Sequence, residues 1–197
     1  MIIDLTFPIE NGMPYYPGDP QPKIEKFTSI EKEGYVVHKL TIGTHTGTHV
    51  DVPSHFIPEG KTLDQIEITR FSGKAYVIAI EKEKINKEDI PNVESEILLI
   101  YTGTSKSWKN GWNINKYSII TEEASKEISK RFKLVGIDSP SIGSFETHRI
   151  LLKNEIIIVE NLANLDKIIG KYVDFLCFPL LIKGADGSPV RAIAIVR

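Results

Sequence analysis

Four β-branched residues in succession, Ile156-Ile157-Ile158-Val159, run directly into Glu160. Such a run describes a strand covered on both faces, so the chain must place a layer on each side of a sheet. The glutamate at its end must be paired, protonated or bound to a metal, because burying a bare carboxylate is too costly. Glu160 is therefore a candidate ligand.

Apolar runs of strand length recur at 1–6, 35–44, 75–80, 97–101, 134–137, 173–182 and 192–196. Helical signals are fewer. Thr121-Glu122-Glu123 supplies a cap and first-turn acids for a helix over 121–132. A short helix carrying His148 is expected over 146–153, a partly helical segment over 63–71, and a solvated face or short helix over 81–89. Many strands with two or three short helices predict a β-rich α/β fold in a single domain spanning residues 1–197. Helix and strand do not alternate regularly, which favours neither a doubly wound fold nor a barrel.

Chemistry concentrates in His45-Thr46-Gly47-Thr48-His49-Val50-Asp51-Val52-Pro53-Ser54-His55, which holds three of the five histidines. These histidines and Asp51 all fall at odd positions, so an extended backbone turns them to one side. A straight strand would hold His45 and His49 about 13 Å apart, too far to share one ion through bonds of about 2 Å. The strand must bend, and Gly47 stands midway, where a glycine marks a bulge or bend. Gly47, the threonines, Val50, Val52 and Pro53 disfavour a helix. The expected conformation is a bent strand running into a loop.

His45, His49 and Asp51 supply three protein ligands and leave a position for water, as in catalytic rather than structural zinc sites. The same donors suit manganese or iron, so donor type alone does not choose the metal. A cation there lowers the pKa of water toward neutrality. His55 continues the register and is placed to take a proton from water and return it to a leaving nitrogen. Two competing readings stay open: histidines that only cross-link a loop through an ion, and histidines that bind none.

Composition removes other classes. The 24 lysines and arginines are interleaved with 26 acids, which argues against a nucleic-acid partner. The single cysteine, Cys177, lies in an apolar run and reads as a buried, inert thiol. With no internal disulfide to form, the expected compartment is the reducing cytoplasm. Neither a signal peptide nor a membrane span is expected, since no apolar run approaches the length of about 18 residues that a span needs.

Several further residues are candidates. Tyr15 and Tyr16, held among Pro14, Pro17 and Pro20, make a stiff aromatic platform that either walls a substrate pocket or caps the core. Asp138 and Ser139 close a strand and read as site residues or as ordinary turn chemistry. Thr102-Gly103-Thr104-Ser105 lacks the spacing of a phosphate loop and reads as a strand-end turn. Trp108 and Trp112 sit in a polar segment suited to a pocket or subunit contact. His38 has no ligand-like neighbours and reads as a surface or core histidine.

The stretch 45–55 matches the His-x-Gly-Thr-His-x-Asp-x-Pro-x-His signature of the cyclase-family metal hydrolases and resembles its formamidase members. The resemblance extends along most of the chain, taking in the Pro17-Gly18-Asp19 loop, the segment Gly136-Ile137-Asp138-Ser139-Pro140-Ser141, and His148 with Glu160. It implies a swivelling β/β/α architecture, a homodimer or homotetramer, and one or two divalent cations per chain, Zn2+ before Mn2+. By that resemblance His45, His49 and Asp51 hold one ion, Asp51, His148 and Glu160 hold the second, and His55 is the general acid/base. The implied reaction is hydrolysis of a small aryl formamide, N-formylkynurenine being the nearest family substrate. The alternatives are hydrolysis of a cyclic amide such as isatin, another reaction of the family, or a metal-containing module that only binds small molecules. Two positions depart from the pattern: Tyr16 stands in place of tryptophan, and Gly143 in place of an aspartate after the Ser-Pro-Ser segment.

Overall fold

Side chains along the segment Ile97–Tyr101 pass alternately to two buried clusters, Ile97, Leu99 and Tyr101 to one and Leu98 and Ile100 to the other. A strand covered on both faces needs such a division, and the rest of the fold is built around it. The computed structural model describes residues 1–110, 113 and 116–196. Among them the chain forms, in order, β1 (Ile2–Asp4), β2 (Lys23–Lys26), α1 (Ile30–Glu33), β3 (His38–Thr41), β4 (His49–Asp51), β5 (Ser72–Ala79), β6 (Lys84–Ile85) and β7 (Ile97–Tyr101). There follow β8 (Ile119–Ile120), α2 (Glu122–Ser129), β9 (Leu134–Ile137), α3 (Phe145–Lys153), β10 (Ile157–Glu160), β11 (Tyr172–Leu176), β12 (Gly187–Pro189) and β13 (Ile193–Ile195).

Nine strands form one sheet in the order β1-β13-β11-β5-β7-β9-β10-β4-β12. Its centre, β5-β7-β9-β10, is parallel, and antiparallel pairings extend it on both sides. Both α2 and α3 contribute to the cluster around Leu98, Ile100, Val135 and Ile158. The opposite face is closed by Leu63, Phe71, Leu165 and Ile168 from single 3-10 turns. Each such fully buried side chain contributes about 1.5–3 kcal/mol. The result is the β-rich α/β fold expected of the sequence.

Several boundaries differ from expectation. The run 35–44 is a strand only at β3, which pairs with β2 and not with the main sheet; Phe27, Ile30, Tyr35 and Leu40 stand exposed on this arm. His38 lies there, exposed and remote from the other histidines' cluster. The run 173–182 leaves the sheet after Leu176, and 63–71 resolves into two 3-10 turns. Cys177 is buried with Sγ 3.4 Å from the Phe71 carbonyl, and burial pushes its thiol pKa up. Trp108 is buried and stacks on Phe7 at 4.0 Å, anchoring the N-terminal segment, whereas Trp112 lies outside the described residues.

Candidate metal centre

The stretch 45–55 reaches its geometry by a route other than one bent strand. Residues 44–48 form a turn in which Gly47 adopts φ +66°, a conformation that disfavours any residue with a Cβ. Only His49–Asp51 is strand, with His49 and Asp51 on one face and Val50 on the other, in the core. Pro53–His55 then closes a 3-10 turn that carries His55 back toward the same place. The expected bend at Gly47 is present, but the shared face comes from a turn, a short strand and a 3-10 turn together.

Sheet register brings in the distant carboxylate. β10 pairs antiparallel with β4 so that Glu160 stands opposite His49 and Ile158 opposite Asp51. Directly opposed residues share a face, so the buried Glu160 sits over His49 and Asp51. On the other side of β4, Gly187 opposes Asp51. A Cβ on Gly187 would stand 2.5 Å from the Val50 carbonyl and 2.8 Å from His45 Cε1, so only glycine leaves room for the His45 ring.

Backbone carbonyls orient two of the imidazoles. His49 donates Nδ1–H to the Gly47 carbonyl at 2.8 Å, and His148, on α3, donates Nδ1–H to the Ser144 carbonyl at 2.9 Å. Each Nε2 is thereby turned to the carboxylates. His49 Nε2 lies 3.3 Å from Asp51 Oδ1 and 3.5 Å from Glu160 Oε2. His148 Nε2 lies 3.2 Å from Glu160 Oε1 and 3.9 Å from Asp51 Oδ2. His45 Nδ1 is 2.8 Å from Asp51 Oδ1. Donors bonded at about 2.1 Å around one tetrahedral ion stand about 3.4 Å apart, close to the His49–Asp51, His49–Glu160 and His148–Glu160 spacings, while His45 and Asp51 are in direct hydrogen-bond contact. Asp51 Oδ2 is buried with no hydrogen-bond partner among the described residues, a costly vacancy for a carboxylate unless a cation fills it. These donors fit a divalent cation: one ligand atom each from His49, Asp51 and Glu160 lie within 4.8 Å of one another, as do one each from His45, Asp51 and His55, and His148 stands against Glu160 at 3.2 Å.

Electrostatics agree with that fit. Burial acts to lower the His45 pKa, but Asp51 and Asp186 outweigh it and raise the value to about 10. Burial likewise opposes, and hydrogen bonds to Asp51 and Glu160 overcome, so that His49 rises to about 9. Burial would raise the Asp51 pKa, yet His45 and His49 hold it well below the usual carboxylate range. For Glu160, burial and the Asp51 charge raise the pKa and the hydrogen bonds from His148 and His49 bring it down below the ordinary value. Protons on the histidines neutralise the clustered carboxylates, a service that a cation performs equally.

The donors open into a cavity of about 530 Å³ whose walls include Tyr16, Phe56, Phe145 and Asn161. Phe56 stacks on His148 at 4.6 Å and meets His55 edge-on at 4.4 Å. Of the tyrosine pair, Tyr16 lines the cavity and Tyr15 does not. Asp138 and Ser139 are also absent from its lining, and their contacts follow the turn-chemistry reading of the two that the sequence left open. Asp138 instead accepts bonds from the backbone of Thr102, Gly103 and Ser105 and from the hydroxyls of Thr102 and Ser105, fixing that turn. Ser139 Oγ is engaged with the Thr102 and Thr104 hydroxyls. Gly143 lines the cavity where an aspartate was anticipated; a Cβ there would stand 2.8 Å from the Ile120 carbonyl, so this chain has no room for one.

Asp186 was not singled out from the sequence. Asp186 Oδ2 lies 2.9 Å from His45 Nε2 and 3.0 Å from His55 Nδ1. Phe56 and Asn161 were not singled out either. Asn161 follows Glu160 in a left-handed conformation, φ +57°, and donates its side-chain amide to the Gly47 carbonyl. The neighbouring glycine in Asp186-Gly187 and the asparagine directly after a buried carboxylate are the only local signals the sequence carries for them.

Comparison with known proteins places this geometry in a family. The Cyclase family model matches residues 3–144. An uncharacterized protein of Methanocaldococcus jannaschii is 40% identical over 198 residues, covering 99% of each chain. The kynurenine formamidase of Bacillus cereus is 32% identical over 204 residues, covering 97% of this chain and 95% of that enzyme. Among solved structures, a predicted metal-dependent hydrolase from Bacillus stearothermophilus superposes with a TM-score of 0.84 at 26% identity, covering 98% of this chain and 97% of that one. The chain belongs to the Cyclase family, and its relatives include a kynurenine formamidase and a predicted metal-dependent hydrolase.

Proposed function

We propose that this protein is a metal-dependent amide hydrolase that cleaves small aryl formamides of the N-formylkynurenine type, releasing formate and an aryl amine. The reading rests above all on Asp51, which with His45 and His49 could hold one cation and with His148 and Glu160 a second: its Oδ1 meets His45 and His49, and its buried Oδ2, without a hydrogen-bond partner, faces His148 at 3.9 Å. When bound, a divalent cation at these donors activates water and polarises the scissile carbonyl. The proposed ion is zinc, with manganese as the alternative, at one or two ions per chain; the imidazole and carboxylate donors accept either.

The chain's own groups supply the rest. His55 faces the cavity and takes a proton from the attacking water. As the carbon–nitrogen bond breaks, His55 returns that proton to the departing nitrogen, so the products are the acid and the neutral amine. Phe56, Phe145 and Tyr16 give the cavity an aromatic wall on which a planar ring packs. The exposed apolar side chains of the β2–β3 arm support a homodimer or homotetramer. No helix among the described residues is long and apolar enough to cross a membrane. A cytoplasmic location is proposed on the single cysteine, Cys177, which suits a reducing compartment.

A substrate panel tests the assignment. With metal-replete protein, N-formylkynurenine and formanilides are expected to show kcat/KM at least about tenfold above isatin and above aliphatic formamides, a gap of about 1.4 kcal/mol. Preference for isatin would replace the open-chain reading, and hydrolysis of none would leave a binding module.

A further inference from the structure

Asp186 occupies a turn on the far side of β4 from Glu160, yet it reaches into the centre of the site. Its Oδ2 accepts from His45 Nε2 at 2.9 Å and from His55 Nδ1 at 3.0 Å, and those two rings stack at 3.9 Å. The other oxygen, Oδ1, accepts from the Thr44 hydroxyl at 2.9 Å. The Asp186 carbonyl accepts from Val52 N at 3.1 Å, tying the turn to the end of β4. The carboxylate is therefore held at both oxygens and through its own backbone. It also stands where Gly187, the next residue, lets the turn approach His45 closely.

An imidazole has two nitrogens, and a partner on one decides what the other does. With Nδ1–H committed to Asp186, His55 keeps Nε2 for the cavity it lines. With Nε2–H committed to the same oxygen, His45 keeps Nδ1, the atom beside Asp51. One carboxylate thus sets opposite nitrogens free on two stacked rings. Neither outcome follows from His45 or His55 alone, because an unrestrained ring samples both tautomers and can turn about its side-chain bonds.

We propose that Asp186 is the positioning residue of this site, fixing the tautomer and ring orientation of His55 for proton transfer, while its contact with His45 leaves that ring's Nδ1 on the Asp51 side. Its kinetic consequence rests on the hydrolase reading above; its effect on the two rings does not. Asp186 touches neither substrate nor the reacting atoms in this scheme and acts through the histidines.

The test compares wild type, Asp186→Asn and Asp186→Glu at saturating zinc, with three readouts: zinc per chain, imidazole 15N shifts, and kcat and KM on an aryl formamide. Wild-type His55 is expected to show a protonated Nδ1 and a free Nε2, and Asp186→Asn to lose that single tautomer. Zinc per chain should be unchanged in Asp186→Asn, kcat should fall about 10–100-fold, and KM should move less than about threefold. Asp186→Glu should recover part of kcat. In a His55→Ala background, Asp186→Asn should lower the residual rate by less than about threefold, since the ring it serves is gone. Loss of zinc in Asp186→Asn would place the main effect of Asp186 on the cation site and overturn the proposal, as would an unchanged His55 spectrum or an undiminished effect without His55. If wild type hydrolyses no amide, the hydrolase reading fails, while the spectra and zinc content still decide the role of Asp186.

Discussion

Asp51 occupies the most demanding position in the chain, a buried carboxylate shared by three histidines and facing Glu160. Replacing it with alanine removes the oxygen common to both donor sets, so Asp51→Ala is expected to lose bound metal and turnover together. His55→Ala should keep the metal, because His45, His49, His148 and both carboxylates remain, and should lower kcat by about 10²–10⁴-fold. Elemental analysis beside initial rates separates the two; an active His55→Ala protein would remove the acid/base role. The raised pKa values of His45, about 10, and His49, about 9, give a further expectation. Near neutral pH both rings carry protons in the metal-free protein, and a cation must displace them. Cation affinity should therefore rise with pH across about pH 6 to 8, and calorimetry in buffers of different ionisation enthalpy should show net proton release on binding. Binding with no proton release would contradict the assigned donors. Among single residues, the candidates His45, His49, His55, His148, Asp51 and Glu160 do come together in the structure, and they could be picked out because their chemistry is costly to bury alone. Asp186 could not, because an aspartate beside glycine is ordinary turn chemistry until its partners, 141 and 131 residues away, are known.

At the scale of elements, buried strands were the easiest to read. Leu134–Ile137 keeps the limits expected of it because Lys133 and Asp138 bracket a wholly buried run. β3 was overextended because an exposed arm that pairs only with β2 still carries apolar residues, and apolar pattern alone does not tell burial from exposure. The stretch 45–55 shows another limit: period two put the right residues on one side, but the turn at Gly47 and the 3-10 turn at Pro53 do the work that continuous extension was expected to do. Asp138 illustrates a carboxylate whose role belongs to its element. Because it accepts from three backbone amides and two hydroxyls in the turn after β7, Asp138→Asn is expected to cost about 2–3 kcal/mol of stability while leaving KM within about twofold. Denaturant unfolding with parallel kinetics checks this, and a large KM increase with unaltered stability would return Asp138 to the substrate pocket.

At the scale of the molecule, the site exists because the sheet inserts β4 between β10 and β12. That arrangement joins three segments far apart in sequence: His49 and Asp51, Glu160, and the Asp186-Gly187 turn. The β-rich character of the fold could be read from strand count and scarce helices. The strand order could not, since no local pattern states which edge a three-residue strand will join. Closing the site requires α3 as well, whose Ser144 cap and carbonyl start the helix and aim His148. The central claim is that this assembled cluster is a cation-dependent amide hydrolase, and one measurement meets it directly: formate release from N-formylkynurenine by the same protein sample as purified, after chelation, and after reloading with zinc or manganese. Formate and amine are expected in equal amounts, with loss of at least about 99% of the rate on chelation and recovery on reloading. Undiminished formate release from fully chelated protein, or none from protein shown to hold its metal, would contradict the central claim.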